Sequence, residues 1–187
     1  GLGPSNEAPE GSALVLPEGI EWVGETISAV DPFDRDACPC NITTRPNCGT
    51  YADELVNLCI QLKNITPRPI KVTFPAGLLF VSFDTKVQNG MVIQVETFEV
   101  PANTTGGFKL EVLCANSHRS RAFKQHKYKL GPVTQVPQVM TLSDFIKNKN
   151  LDLDAGRAVA QTVLWDITDG RPRNEKDWRE LAELPNQ

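Results

Sequence analysis

The chain lacks the features that mark several large classes of protein. No apolar run approaches the roughly 18–20 residues of a membrane span, so no transmembrane segment is expected. There is no glycine-rich loop to cradle a phosphate and no His-Glu-x-x-His pattern. Asp152, Asp154, Asp166 and Asp169 do not follow the spacing of a calcium loop and read as caps or surface carboxylates. Neither a cofactor nor a metal is therefore expected. The net charge is −4, with the basic residues scattered, which argues against nucleic acid or an anionic membrane as the main partner. An initiator methionine is missing too, the first methionine being Met91. Gly1 reads as the remnant of a cleaved tag, and a natural N-terminus with a signal peptide, since removed, is expected to have preceded it.

What is present is ordinary globular material. Hydrophobic residues make up 40% and charged residues 22% of 187 positions, enough for one sizeable core or two small ones. Cysteine is the first informative residue. Four of the five lie close together, as Cys38-Pro39-Cys40, Cys48 and Cys59, and Cys114 stands alone. A cluster of four suits a pair of disulfides or a zinc site. The Cys-x-Cys start departs from the usual zinc-knuckle spacing and no histidine is near, which favours disulfides. Cys38 and Cys40 are too close to bond each other without strain. Two pairings remain, 38–48 with 40–59 or 38–59 with 40–48, and either implies an oxidising compartment.

Residues 1–20 are rich in Pro, Gly, Ser and Glu and read as a flexible arm or linker. From Glu54 onward, period-two alternation takes over. LVNLCIQLKN, IKVTF, LLFVSF, MVIQVETFEV and FKLEVLC each read as a strand, and VQNG supplies an Asn-Gly hairpin signal. In the last strand Phe108, Leu110, Val112 and Cys114 share one face. The stretch from Ala115 to Pro137 is polar and basic and reads as a long excursion with little regular structure. Three helices follow. TLSDFIKNK carries Leu142, Phe145 and Ile146; LDLDAGRAVAQTVLWDITDG has Asp154 as cap and Gly170 and Pro172 as stop; NEKDWRELAEL has Asn174 as cap. The expected fold is α+β, an antiparallel β-sandwich over 21–116 followed by a small C-terminal helical region over 117–187.

Within the second helix sits an oddity. Gln161 lies among Val159, Ala160, Val163, Leu164 and Trp165, on the face shared by Ala158 and Trp165. A buried, unpaired amide costs about 1–3 kcal/mol, so Gln161 must be exposed, hydrogen-bonded, or consumed in a chemical bond. Cys114 has an equally plain account, a small hydrophobe filling the core. Taken together the two suggest a sharper chemistry. A thiol held against a glutamine carbonyl, with water excluded, can displace ammonia and form an internal thioester.

Leu113-Cys114-Ala115-Asn116, followed much later by Ala160-Gln161-Thr162-Val163-Leu164-Trp165 and Asp166-Ile167-Thr168-Asp169-Gly170, resembles the bacterial thioester domains of surface adhesins. The resemblance covers about residues 110–170. Leu113 stands where Tyr is more usual, Ala115 is small, and the connection between the motifs is short. It implies a Cys114–Gln161 thioester that captures a partner's amine, such as a lysine, once per molecule rather than by turnover. Asn116, His118 and Trp165 are the accompanying candidates for binding. The alternative is a non-catalytic extracellular binding module of the same fold, with Gln161 merely hydrogen-bonded. His118 and His126 also stand as candidate bases for a Cys-His hydrolase, although their basic surroundings favour a solvated loop. Asn41, Asn64 and Asn103 satisfy the glycosylation triplet. The expected setting is extracellular or in the cell envelope, with a protein or other surface ligand as partner.

Overall fold

A computed structural model describes residues 1–31, 34, 36, 38, 39, 56–153 and 155–187. The elements in chain order are β1 (Ile20–Trp22), β2 (Ile27–Ala29), β3 (Val56–Asn64), β4 (Ile70–Phe74), β5 (Leu78–Ser82), β6 (Gly90–Met91), β7 (Glu96–Val100), β8 (Thr105–Cys114) and β9 (Lys127–Val133), then α1 (Pro137–Ile146), α2 (Gly156–Thr168) and α3 (Glu175–Glu183). The arrangement is α+β, strands first and helices last. The sandwich expected from the strand count takes the form of a closed antiparallel ring with a two-stranded ribbon packed on it. The seven-stranded sheet runs β1-β3-β2-β9-β5-β6-β8, and β8 returns to pair with β3. That last pairing is the longest, from Val56↔Val112 to Lys63↔Thr105.

Alternation explains the ring. Leu58, Ile60 and Leu62 of β3, Leu110, Val112 and Cys114 of β8, and Tyr128 of β9 join one apolar core. The β4–β7 ribbon adds Val72, Phe74, Phe98 and Val100 to it and leaves Lys71, Thr73 and Glu99 outside. Phe74 meets Phe98 edge-on, with ring centroids 5.4 Å apart. On the opposite face of β8, Leu113 belongs to a second core with Met91, Ile93 and the helical residues Val139, Leu142, Ile146, Ala160, Val163, Leu164, Trp178 and Leu181. Each such side chain contributes about 1.5–3 kcal/mol on burial, and a one-residue slip of β8 would exchange the two faces. The orientation of Cys114 is therefore set by the packing of its neighbours on both sides.

Several expectations change. The basic stretch after Ala115 contains β9, which lies between β2 and β5, so the ring draws on residues from both sides of position 116. Lys127 and Lys129 point outward while Tyr128 is fully buried. The lysines disguised the alternation, and Gly131-Pro132 looked like a break. Gly131 is instead a close approach: a Cβ there would sit 2.9 Å from the Leu79 carbonyl oxygen, beside a register shift between Leu78 and Phe80. MVIQVETFEV is not one strand; it leaves the ring after Met91 and re-forms as β7, with Gln94 Nε2 donating to the Ile146 and Lys149 carbonyls in between. Asn89-Gly90 does not form a two-residue hairpin turn, because Gly90 is already in β6 and packs where a Cβ would meet Val112.

The N-terminal segment is not a loose arm. Gly1 and Gly3 are buried, Gly3 N–H donates to the Ala115 carbonyl at 2.9 Å, and Ser12 pairs with Val133. Its low-complexity composition hid specific contacts that glycine backbone makes without side chains. Helix α1 begins earlier than expected, with Pro137 in its first turn, where a missing N–H costs nothing. Helix α3 starts as expected, Asn174 accepting from the Lys176 and Asp177 N–H groups. Helix α2 follows Ala155, whose φ is 57°, and stops with Gly170 at φ 68°. Asp154, the expected cap, lies outside the described residues, as do Cys40, Cys48 and Asn41. Asn64 is fully buried and donates to the Arg68 and Val100 carbonyls, so it is a packing residue rather than a glycan acceptor.

Candidate functional site

Gln161 is 1% exposed, and its carboxamide is held by two hydrogen bonds. Oε1 accepts from the Cys114 backbone N–H at 2.7 Å, and Nε2 donates to the Cys114 carbonyl at 2.7 Å. The reason lies in the end of β8. Ala115 N–H donates to the Asn89 carbonyl on the β6 side. Successive residues of a strand turn their N–H and C=O to opposite edges. Cys114 therefore presents its pair to the other edge, two residues beyond the Val56↔Val112 pairing. There the Gln161 amide stands in for a neighbouring strand. Buried backbone groups need partners, and α2 supplies them from its middle.

The residue so gripped carries a thiol outside any disulfide. Cys114 is 4% exposed and unoxidised, and it faces the ring core. Fully buried Tyr128 is its electrostatic neighbour. Burial, then the charge of a Cys114 thiolate, push the phenol pKa well above its ordinary value. The Tyr128 hydroxyl donates to the Gln88 carbonyl at 2.6 Å.

Beyond Cys114 the chain is fixed by a polar cluster. Asn116 is fully buried, and each of its polar groups is engaged. Its N–H donates to Gln88 Oε1, its Oδ1 accepts from Asn89 N–H, and its Nδ2 donates to the carbonyls of Gly1 and Gly3. Ser117 Oγ donates to Asp169 Oδ2 at 2.5 Å, and Asp169 also meets Arg171. The end of β8 is thus tied to the end of α2. Trp165, one turn after Gln161, packs against the ring core, and its buried indole N–H has no partner among the described residues.

The structure brings Cys114 and Gln161 together, with Asn116 adjoining and Trp165 one helical turn away. It does not bring His118: that side chain is exposed and makes no hydrogen bond among the described residues. His126 is engaged locally, its Nδ1 accepting from Phe123 N–H. Asn116 serves to hold the strand end rather than to present a free amide. Sequence reasoning missed Gln88, Asn89, Ser117 and Tyr128. The Asn-Gly pair at 89–90 was visible, but it reads as a turn until β6 and β8 are seen side by side.

Of the cysteine cluster, Cys38 and Cys59 form a disulfide, which rules out pairing 38–48 with 40–59. Among the described residues no group of three or more His, Cys, Asp or Glu is arranged to hold a metal ion, and no helix is long and apolar enough to cross a membrane. Comparison with protein-family models, curated proteins and solved structures returns no match.

Proposed function

We propose that this is a cell-surface, adhesin-like domain in which Cys114 and Gln161 form an internal thioester that captures a partner's amine. The observation that carries the reading is the double hydrogen bond between the Gln161 carboxamide and the backbone of the residue bearing the Cys114 thiol. The Cys114 N–H polarises the carbonyl at Oε1, where negative charge develops as sulfur attacks. Burial of both residues keeps hydrolytic water away.

The chemistry balances without further reactants. Sγ bonds to Cδ of Gln161, the Cδ–Nε2 bond breaks, and the thiol proton leaves with the nitrogen as ammonia. A partner's primary amine then attacks Cδ, the Cδ–Sγ bond breaks, and Cys114 returns to a thiol. The product is an amide between Gln161 and the partner, made once per molecule. Lysine is the commonest surface amine of that kind. The Cys38–Cys59 disulfide is compatible with the oxidising, extracellular setting such a domain needs, and the resemblance of the two motifs to adhesin thioester domains points the same way.

The second reading, a reversible binding module, is favoured by the same pair of bonds, since they already satisfy Gln161 as an ordinary buried amide. Intact mass separates the two. The thioester predicts a chain lighter by one ammonia beyond the hydrogens lost to disulfides, and a Cys114→Ala chain without that deficit. A gently handled wild type at full mass would refute the covalent reading and leave the binding module.

A further inference from the structure

Residues Gly1–Asn6 cross the end of β8 and the end of α2, the two elements that carry Cys114 and Gln161. Gly3 N–H donates to the Ala115 carbonyl, one residue from the thiol. On its other side Gly3 lies on the last turn of α2: its φ is +55°, and a Cβ there would sit 2.1 Å from the Thr168 carbonyl oxygen. Asn116 Nδ2 holds the carbonyls of Gly1 and Gly3, and Asn89 Nδ2 also donates to that of Gly1, at 3.0 Å. Leu2 packs against the helical core. Arg119 closes the far end, its Nη2 donating to the Ser5 carbonyl and Asn6 Oδ1 while Nη1 reaches the Val87 carbonyl.

Among the described residues the segment is held by six hydrogen bonds, none of them part of a strand ladder. Residues 4–8 are exposed, and the chain is next paired to the ring at Ser12, by two backbone bonds to Val133. A segment latched through backbone carbonyls, without a ladder or a deep side chain, belongs to the part of a fold that opens at low free energy. The β8–β3 pairing and the helical core belong to the part that opens last.

We infer that Gly1–Asn6 is a strap that closes the Cys114–Gln161 site, and that its local opening admits the reacting amine. This rests on the proposed function for the identity of the reaction, but not for the gating. With the strap in place, Ala115 and Asn116 have no exposure and Cys114 and Gln161 almost none. Open, it frees the corner between β8 and α2 while Gln161 stays bonded to Cys114.

The test uses the full chain and a probe chosen by intact mass. If one ammonia is missing, the probe is methylamine, followed by its addition to Gln161. If the mass is full, the thioester reading has failed, and the probe is iodoacetamide on the Cys114 thiol, which tests the strap by itself. Gly3→Val displaces the strap from Thr168 and should raise the reaction rate about tenfold or more, the loss of one or two net hydrogen bonds, with the thermal midpoint little changed. The wild-type rate should also respond weakly to low urea, because a strap exposes little surface on opening. Equal rates in wild type and a folded variant would overturn the inference. So would a wild-type rate that rises with urea as steeply as global unfolding does, and this second measurement decides the matter if Gly3→Val does not fold.

Discussion

Opening the thioester with methylamine should destabilise the protein by an amount set by the chain topology. A Cys114–Gln161 bond closes a loop with a sequence separation of 47. Cross-linking a loop of that length removes unfolded-state entropy worth about 4 kcal/mol. That is a large share of the roughly 5–15 kcal/mol that holds a typical domain. At about 2–4 °C per kcal/mol for a chain of this size, the thermal midpoint should fall by about 8–16 °C. Cys114→Ala should show a similar fall, because it deletes the cross-link while an intact Gln161 carboxamide still bonds the backbone at position 114. Gln161→Ala should fall further, since it also orphans the Cys114 N–H at about 1–3 kcal/mol. The assay is calorimetry on wild type, methylamine-treated wild type and the two variants, with masses taken on the same samples. Without a thioester the pattern differs in kind: methylamine changes nothing, and Cys114→Ala costs only about 1 kcal/mol of lost apolar burial. A methylamine-treated wild type with unchanged mass and midpoint would refute the reasoning.

Two further outcomes concern Tyr128 and the Cys38–Cys59 bridge. Tyr128 has its pKa raised by burial and by its neighbour Cys114, so the folded state holds the phenol proton more tightly than the unfolded chain does. Its contribution is complete below the ordinary tyrosine value of about 10 and is lost as pH rises beyond it. Urea midpoints should therefore fall as pH rises above about 10, and Tyr128→Phe should flatten that slope, whereas an equal slope in the variant would show that other groups cause it. The Cys38–Cys59 bridge, with a sequence separation of 21, should contribute about 3 kcal/mol. The paired substitution of both residues by alanine should lower the midpoint by about 6–12 °C, and a loss well under that range would show that the unfolded chain is already constrained there.

Much of the framework was legible because it depends on local pattern. Ile70, Val72 and Phe74 alternate with polar residues, and Leu110, Val112 and Cys114 do the same, so their strand character and shared face could be read directly. Asn174 announces the start of α3, and Gly170 the stop of α2. Tyr128 could not be placed this way, because the lysines on either side are those of a solvated loop until β2 and β5 are seen flanking it. The strap was illegible for a related reason. Gly1 and Gly3 bind through backbone groups that every residue possesses, and only their freedom from a Cβ marks them. The candidate site was half legible: Gln161 stood out as a polar residue in an apolar helix face, and Cys114 as a lone thiol on a core-facing strand.

By itself the sequence determined which residues would leave water, where the helices would stop, and that one carboxamide would have to find a partner. Those follow from side-chain chemistry and from periods of two and 3.6, which act over neighbouring residues. Only the tertiary structure decided what that partner is. The closure of β8 onto β3, the seating of α2 across the end of β8 and the passage of residues 1–6 over both are long-range events. They bring Gln161 to the backbone of Cys114 because α2, packed in the core on one side of β8, lies within reach of the hydrogen-bonding edge at the strand's end.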